Sequence, residues 1–217
     1  MGGVLDLFFP SRCLTCGDFM EVDCPWCAEC HRFIGYMASR DVCVVCCREL
    51  SQSGACASCL RRRPVYDSLT AGLVYEDDVA ALLSRVKYSR DLAAAKSVAE
   101  WMAASLSMDF DHVAVPPVHR KDLRKRGFHL PTLIARWLGV KAQHPLTKVR
   151  RTEPQASLTA EGRLTNLLDA FQSSEVTGRW LVIDDVATTG ATLSEAARAL
   201  KASGASEVHA WVLARSL

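Results

Sequence analysis

All ten cysteines of this 217-residue chain lie between Cys13 and Cys59, and eight of them form four Cys-x-x-Cys pairs. The pairs are Cys13/Cys16, Cys27/Cys30, Cys43/Cys46 and Cys56/Cys59, with ten residues between the first two and nine between the last two. A turn holding such a pair aims both sulfurs at one point, and two turns close a tetrahedral site of four thiolates. Thiolate donors favour zinc over hard cations. Two repeats therefore predict two structural zinc ions, one held by Cys13, Cys16, Cys27 and Cys30, the other by Cys43, Cys46, Cys56 and Cys59. About fifty residues cannot build a sufficient core alone, and metal ligation replaces it. Cys24 and Cys47 are surplus. Cys24 is in frame with Cys27, so spacing alone leaves Cys24/Cys27 and Cys27/Cys30 both open as the second pair.

Disulfides are the competing use of paired cysteines, and they need an oxidising compartment. The start of the chain, Met1 to Pro10, has no positive n-region, places Asp6 inside a very short apolar stretch and shows no cleavage site. No apolar run approaches the length of a membrane span. The expectation is a cytoplasmic protein with reduced cysteines and no span. Some zinc ribbons also touch nucleic acid, and the spacing does not discriminate.

The second constraining segment is Trp180-Leu-Val-Ile-Asp184-Asp185-Val-Ala-Thr188-Thr189-Gly190-Ala191-Thr192. Trp180 to Ile183 is short, apolar and branched, as suits a parallel strand buried on both faces. Leu193, Ala196, Ala197 and Leu200 then recur at helical spacing. Between them lie hydroxyls, small side chains and a helix N-terminus, where backbone amides and the helix dipole favour an anion. The two acids would repel a phosphate but accept hydrogen bonds from a vicinal diol, as acids at this edge of α/β sheets do for ribose. A diol on one side and a phosphate on the other describe a phosphoribosyl group. An ordinary strand–turn–helix with a threonine-rich cap is the competing reading.

Length fits two domains, a cysteine-rich unit over 1–63 and an α/β unit over 64–217, with Arg61-Arg62-Arg63-Pro64 as a polar connector. Through the second unit the patterning predicts strands at Leu69–Tyr75, His112–Val115, Trp180–Ile183 and Glu207–Leu213. It predicts helices at Val79–Tyr88, Leu92–Leu106, Pro131–Leu138 and Leu158–Phe171. Strands alternating with helices imply a parallel sheet with ligand at the carboxyl ends.

The net charge of +2 conceals an asymmetry: residues 115–155 hold ten Lys and Arg against two acids. The segment from His119 to His129 reads as a basic loop with Gly127 and an exposed aromatic, Phe128. A solvated loop, a mobile lid closing on pyrophosphate and a nucleic-acid contact are three readings of it.

Asp184 to Thr192 resembles the signature that binds 5-phosphoribosyl-1-pyrophosphate (PRPP) in type I phosphoribosyltransferases. The resemblance implies that Asp184 and Asp185 contact the ribose hydroxyls and that Thr188, Thr189, Gly190, Ala191 and Thr192 wrap the 5-phosphate. Enzymes of this class acting on 6-oxopurines usually carry an acid where this chain has Thr188, which disfavours hypoxanthine or guanine salvage. Together with the paired Cys-x-x-Cys modules, Lys87-Tyr88, Pro116, Arg126-Gly127-Phe128 and the Arg151–Phe171 stretch (Arg-Thr-x-x-Gln-x-x-Leu, Arg163, Asn166), the signature is similar to the ComF family over essentially the whole chain. This chain departs from the family in having His129-Leu130 where an Asn-Gln pair follows the Arg-Gly-Phe, and Lys87-Tyr88-Ser89-Arg90-Asp91 where the family has Lys-Tyr-x-Gly-Asp.

That resemblance implies a zinc-ribbon head on a type I phosphoribosyltransferase fold and a role in the uptake or handling of single-stranded DNA during competence. It implies as partners a phosphoribosyl ligand, single-stranded DNA and a DNA-uptake helicase. If the chain is an active transferase in nucleotide metabolism or salvage, the alternative reading, Mg²⁺ accompanies PRPP. Pro116 to Arg120 then form the pyrophosphate-side loop and Arg124, Lys125 and Arg126 the lid, acting by positioning and charge stabilisation. With no glutaminase domain or N-terminal cysteine nucleophile visible in this sequence, amidophosphoribosyl transfer is not expected.

Overall fold

The computed structural model describes residues 12–20, 24–103, 106, 108–118, 120–150 and 166–216. Two short metal-ligating modules come first, each a Cys-x-x-Cys turn followed by a one-turn helix: α1, Ala28–His31, and α2, Ala57–Arg61. The α/β unit then runs β1 Ser68–Val74, α3 Asp77–Ser84, α4 Leu92–Met102, β2 His112–Ala114, α5 Arg120–Arg126, α6 Leu130–Trp137, β3 Ala142–Gln143, β4 Leu146–Lys148, β5 Phe171–Ser173, β6 Arg179–Ala187, α7 Ala191–Ala202 and β7 Glu207–Arg215. Five strands form a parallel sheet in the order β1-β7-β6-β2-β3, and β4 and β5 make a separate antiparallel pair.

Local chemistry accounts for the main elements. The alanine-rich α4 starts where the Asp91 carboxylate accepts the Ala94 amide at 3.2 Å, an N-cap that satisfies one orphan donor. Helix α6 carries Pro131 in its first turn, where a missing N–H costs nothing. Trp180 to Ile183 and Val208 to Ala214 form the strands β6 and β7 at the sheet's centre, and apart from the half-buried His209 every one of these residues is buried.

The sheet divides the core into two layers. Leu193, Ala196, Ala197 and Leu200 of α7 cover one face with Val182, Ala210 and Val212. Leu82, Leu83, Val98 and Ile134 of α3, α4 and α6 cover the other with Leu181, Ile183 and Leu213. The metal modules continue these layers: Trp26 and Ile34 of the first belong to the layer of α4, and Val45, Cys46 and Cys59 of the second belong to the layer of α7. They straddle the edge strand β1. The amide of Leu69 donates to the Val45 carbonyl at 3.0 Å, that of Val74 donates to the Gly35 carbonyl at 2.8 Å, and Tyr36 bridges Leu73. An edge that would otherwise invite another chain is thus covered. Gly35 makes the approach possible, because a Cβ there would sit 2.9 Å from a Val74 methyl.

Several expectations need correction. The His119–His129 segment is not a loop: Arg120–Arg126 is helical, and only Gly127 to His129 break it. Phe128 is half-buried against the α6 layer rather than exposed. Strand β6 continues past Ile183 through both acids to Ala187. Phe171 belongs to a strand, not to the end of a helix, because its amide is taken by the buried Glu195 carboxylate at 3.0 Å. The remainder of the expected 158–171 helix up to Thr165, together with His119 and Arg163, lies outside the described residues.

Trp26 meets Trp101 edge-to-face with centroids 5.9 Å apart, joining the first module to α4. Trp26→Ala should therefore lower the stability of the whole chain by about 3–5 kcal/mol, as large aromatic truncations in cores do. Denaturant unfolding followed by fluorescence and circular dichroism checks this. A separate early transition with an unchanged main one would show that the module is not part of the common core.

Candidate functional site

Each metal module is built by the same local rules. In the first, the Cys13 amide donates to Asp18 and the Gly17 amide to the Cys13 carbonyl. In the second, Cys43 donates to Arg48 and Cys47 to the Cys43 carbonyl. Gly17 and Cys47 occupy the same left-handed place, with φ of 79° and 53°. Cys47 is accordingly no ligand: it closes the knuckle and packs its buried side chain against the sheet. The four sulfurs of Cys13, Cys16, Cys27 and Cys30 converge within 4.8 Å of one another, as do those of Cys43, Cys46, Cys56 and Cys59. This selects Cys27/Cys30 over Cys24/Cys27.

The fit to zinc is geometric. Four sulfurs about 2.3 Å from one ion stand about 3.8 Å apart. Cys16 and Cys27 sulfurs are 3.7 Å apart, and so are those of Cys46 and Cys56. The Cys56 amide points at the Cys43 sulfur at 3.2 Å, and the Cys30 and Cys59 amides point at Cys27 and Cys56 at 3.4 Å. Burial pushes the Cys13 and Cys43 thiols up, but backbone N–H donors outweigh it and bring each down to about 6. A thiolate is what a metal requires.

The second site is at the carboxyl edge of the sheet. Because β2, β6 and β7 run parallel, Pro116, the Asp184–Asp185 pair and Arg215 emerge at the same edge. Beyond Ala187 the chain turns through Thr188, Thr189 and Gly190 into the N-terminus of α7, and Asp184, Thr188 to Thr192 and Leu193 line a small concavity there. The Thr189 hydroxyl accepts the Ala191 amide at 3.3 Å. Gly190 has φ of 75°, and a Cβ there would sit 2.9 Å from the Tyr66 hydroxyl, so both conformation and space demand glycine.

Three groups that the sequence reading did not assign to the site complete it. The ammonium of Lys87 lies 2.7 Å from Asp185. It is delivered by a π-helical turn, Arg85–Ser89, that extends α3, an irregularity frequent at functional sites. Burial would raise Asp185, but Lys87 outweighs it and holds that carboxyl below its usual range. Burial and the adjacent Asp185 charge push Asp184 well above it. His129 hydrogen-bonds the Thr132 hydroxyl at 2.8 Å, and burial, with His144 and Arg126 acting in the same direction against Asp185, brings it down to about 4. The third is Arg215, whose buried guanidinium donates to the carbonyls of Cys46 (3.0 Å), Ala187 (2.7 Å) and Thr188. The Lys-Tyr motif marked Lys87 and the departure after Arg126-Gly127-Phe128 marked His129, whereas nothing in the sequence pointed to Arg215.

The structure places Pro116, buried, just after β2 and Arg120 at the start of α5, with Arg124, Lys125 and Arg126 exposed on its last turn. Phe128 follows the basic helix in the turn leading to α6.

Residues 4–60 match the double zinc ribbon domain family, and residues 123–217 match the phosphoribosyl transferase domain family. With the parallel sheet and both four-cysteine clusters, they define the class: a phosphoribosyltransferase-like domain preceded by a double zinc ribbon. The chain is 30% identical over 206 residues to DNA utilization protein YhgH of Salmonella typhi, covering 81% of this chain and 91% of that one. It is 27% identical over 230 residues to competence protein F of Haemophilus influenzae, covering 96% and 99%. It is 28% identical over 228 residues to competence protein ComFC of Bacillus subtilis, covering 94% and 95%. The chain belongs to the ComF/YhgH family of competence and DNA-utilization proteins. Among the described residues no helix is long and apolar enough to cross a membrane.

Two outcomes follow. Protein purified without chelator should carry about two zinc ions per chain, four thiolates to each. Elemental analysis giving none, with blocked thiols, would point to disulfides, and a value near one would mean that a module has lost its site. Asp184→Asn should stabilise the protein at neutral pH. A carboxyl whose pKa rises on folding costs stability once the pH passes its unfolded value, while asparagine keeps the oxygen that accepts the Asp185 amide at 2.9 Å. The gain in melting temperature should shrink as the pH falls through about 4 and vanish below it, where Asp is protonated in both states. A gain independent of pH would exclude this cause.

Proposed function

We propose that the carboxyl-edge site binds a phosphoribosyl group, PRPP or the 5-phosphate end of a nucleotide, and that the protein uses it in handling single-stranded DNA. The observation that carries this reading is the continuity of β6, the acid pair, the threonine–glycine turn and the start of α7. Thr188 to Thr192 hold the phosphate through hydroxyls and first-turn amides, where the helix dipole favours an anion. Asp185, kept ionised by Lys87, and Asp184 accept hydrogen bonds from the ribose diol. If the site turns over PRPP, Mg²⁺ accompanies the pyrophosphate, and Pro116 to Arg120 lie on that side. Relatives named for competence and DNA utilization support the DNA role, as does the exposed basic turn Arg124-Lys125-Arg126. Those side chains contact the phosphate backbone, and a DNA-uptake helicase is the partner that the family resemblance implies. The ribbon of residues 1–63 and the α/β unit of 64–217 act as one body in this reading.

A ligand that binds the native state must raise the melting temperature. PRPP with Mg²⁺ or a nucleoside monophosphate should do so, and Thr189→Ala combined with Gly190→Val should abolish the shift. A shift that survives the double substitution would place the ligand elsewhere. Single-strand binding should weaken with salt at a log–log slope of about −0.7 per phosphate contacted. Alanine at Arg124, Lys125 and Arg126 should flatten that slope. Negligible binding at low salt, with pyrophosphate released from PRPP and an amine or base, would favour an ordinary transferase.

A further inference from the structure

Arg215 is the last residue of β7 and is 1% exposed. Among the described residues no carboxylate stands within ion-pair distance of it, and its guanidinium donates to the Cys46, Ala187 and Thr188 carbonyls. A buried, uncompensated guanidinium is costly. The charge that offsets it belongs to the second metal module: Cys46 is itself a member of that four-cysteine cluster, and four thiolates around one divalent ion carry a net charge of −2. Arg215 thus lies between a dianionic zinc site and the turn that starts the candidate phosphate loop.

The direction of those carbonyls matters for the loop. In a planar trans peptide the C=O of one residue and the N–H of the next point in opposite directions. The Ala187 oxygen faces both Arg215 and the Ser216 amide (3.0 Å), and the Thr188 oxygen faces Arg215, so the amides of Thr188 and Thr189 are turned away from the guanidinium, on the side of the concavity lined by Asp184 and Thr188 to Thr192. The same guanidinium fixes the knuckle through Cys46. A single point charge such as lysine cannot span both sides, whereas the arginine fork can.

We propose that Arg215 is a positioning residue that couples the second zinc site to the phosphate loop: the thiolates balance its buried charge, and its fork orients the loop amides. This rests on the reading of Thr188 to Thr192 as a phosphate site, but the coupling has readouts that need no ligand. By thermodynamic reciprocity, a residue through which zinc steadies the loop must also steady zinc.

The test uses the full zinc-loaded chain with Arg215→Met and Arg215→Lys, both checked for two zinc ions and native circular dichroism. Hydrogen exchange reads the amides of residues 188–193, a colorimetric chelator reads the release rate of the second zinc, and titration with ribose 5-phosphate reads the site. In Arg215→Met, loop exchange and zinc release should both quicken by about tenfold, as loss of a buried charged donor predicts, and sugar-phosphate affinity should fall. In Arg215→Lys the retained charge should keep zinc release near the wild-type rate while the loop still exchanges faster. Should the methionine variant fail to fold, the lysine variant alone decides the loop. Wild-type loop exchange in either variant would overturn the proposal, as would equal zinc release in the two variants. Altered exchange in a protein whose wild type does not bind ribose 5-phosphate would leave the coupling standing and remove the phosphate reading instead.

Discussion

The parallel direction of β1, β7, β6 and β2 is the constraint on which the rest of the molecule depends. Parallel strands need crossovers, the crossovers put helices on both faces, and the strands between them must be apolar throughout. The same direction puts every carboxyl end at one edge. The Asp184–Asp185 pair, Pro116, the threonine turn and Arg215 meet there because their strands end together, although they are up to about a hundred residues apart in sequence.

A parallel sheet also has edges, and β1 is one of them. The metal modules solve that problem here. They form few elements of their own, so the thiolate clusters fix their shape, and the backbone of Gly35 and Val45 then serves as partner to Val74 and Leu69. With Trp26 in one core layer and Cys59 in the other, the ribbon completes the fold as well as preceding it. The Arg215 guanidinium touches both the ribbon, at the Cys46 carbonyl, and the turn, at the Ala187 and Thr188 carbonyls.

The acid pair costs the fold stability. Two adjacent carboxyls in a partly buried pocket repel, and burial discourages charge on either. Lys87 resolves half of the conflict by keeping Asp185 ionised, and Asp184 bears the remainder as a raised pKa. A chain selected only for stability would not keep both acids.

The sequence by itself determined the two four-cysteine clusters, the alternation of strands and helices, and the strand–acid–threonine–helix segment. In each case the signal is local: a two-residue gap between cysteines, an apolar run, a helical spacing of leucines and alanines. Periodicity could not distinguish a basic loop from the short helix Arg120–Arg126, because a solvated charged stretch has no buried face to display. Nor could it find β3 or the β4–β5 pair, which are two or three residues long and exist through their neighbours. Only the tertiary structure chose Cys30 over Cys24, carried Lys87 to Asp185 and drove Arg215 between the zinc knuckle and the loop. Those decisions depend on which carbonyls and carboxylates converge once the layers are packed, and convergence in space leaves no mark on spacing along the chain.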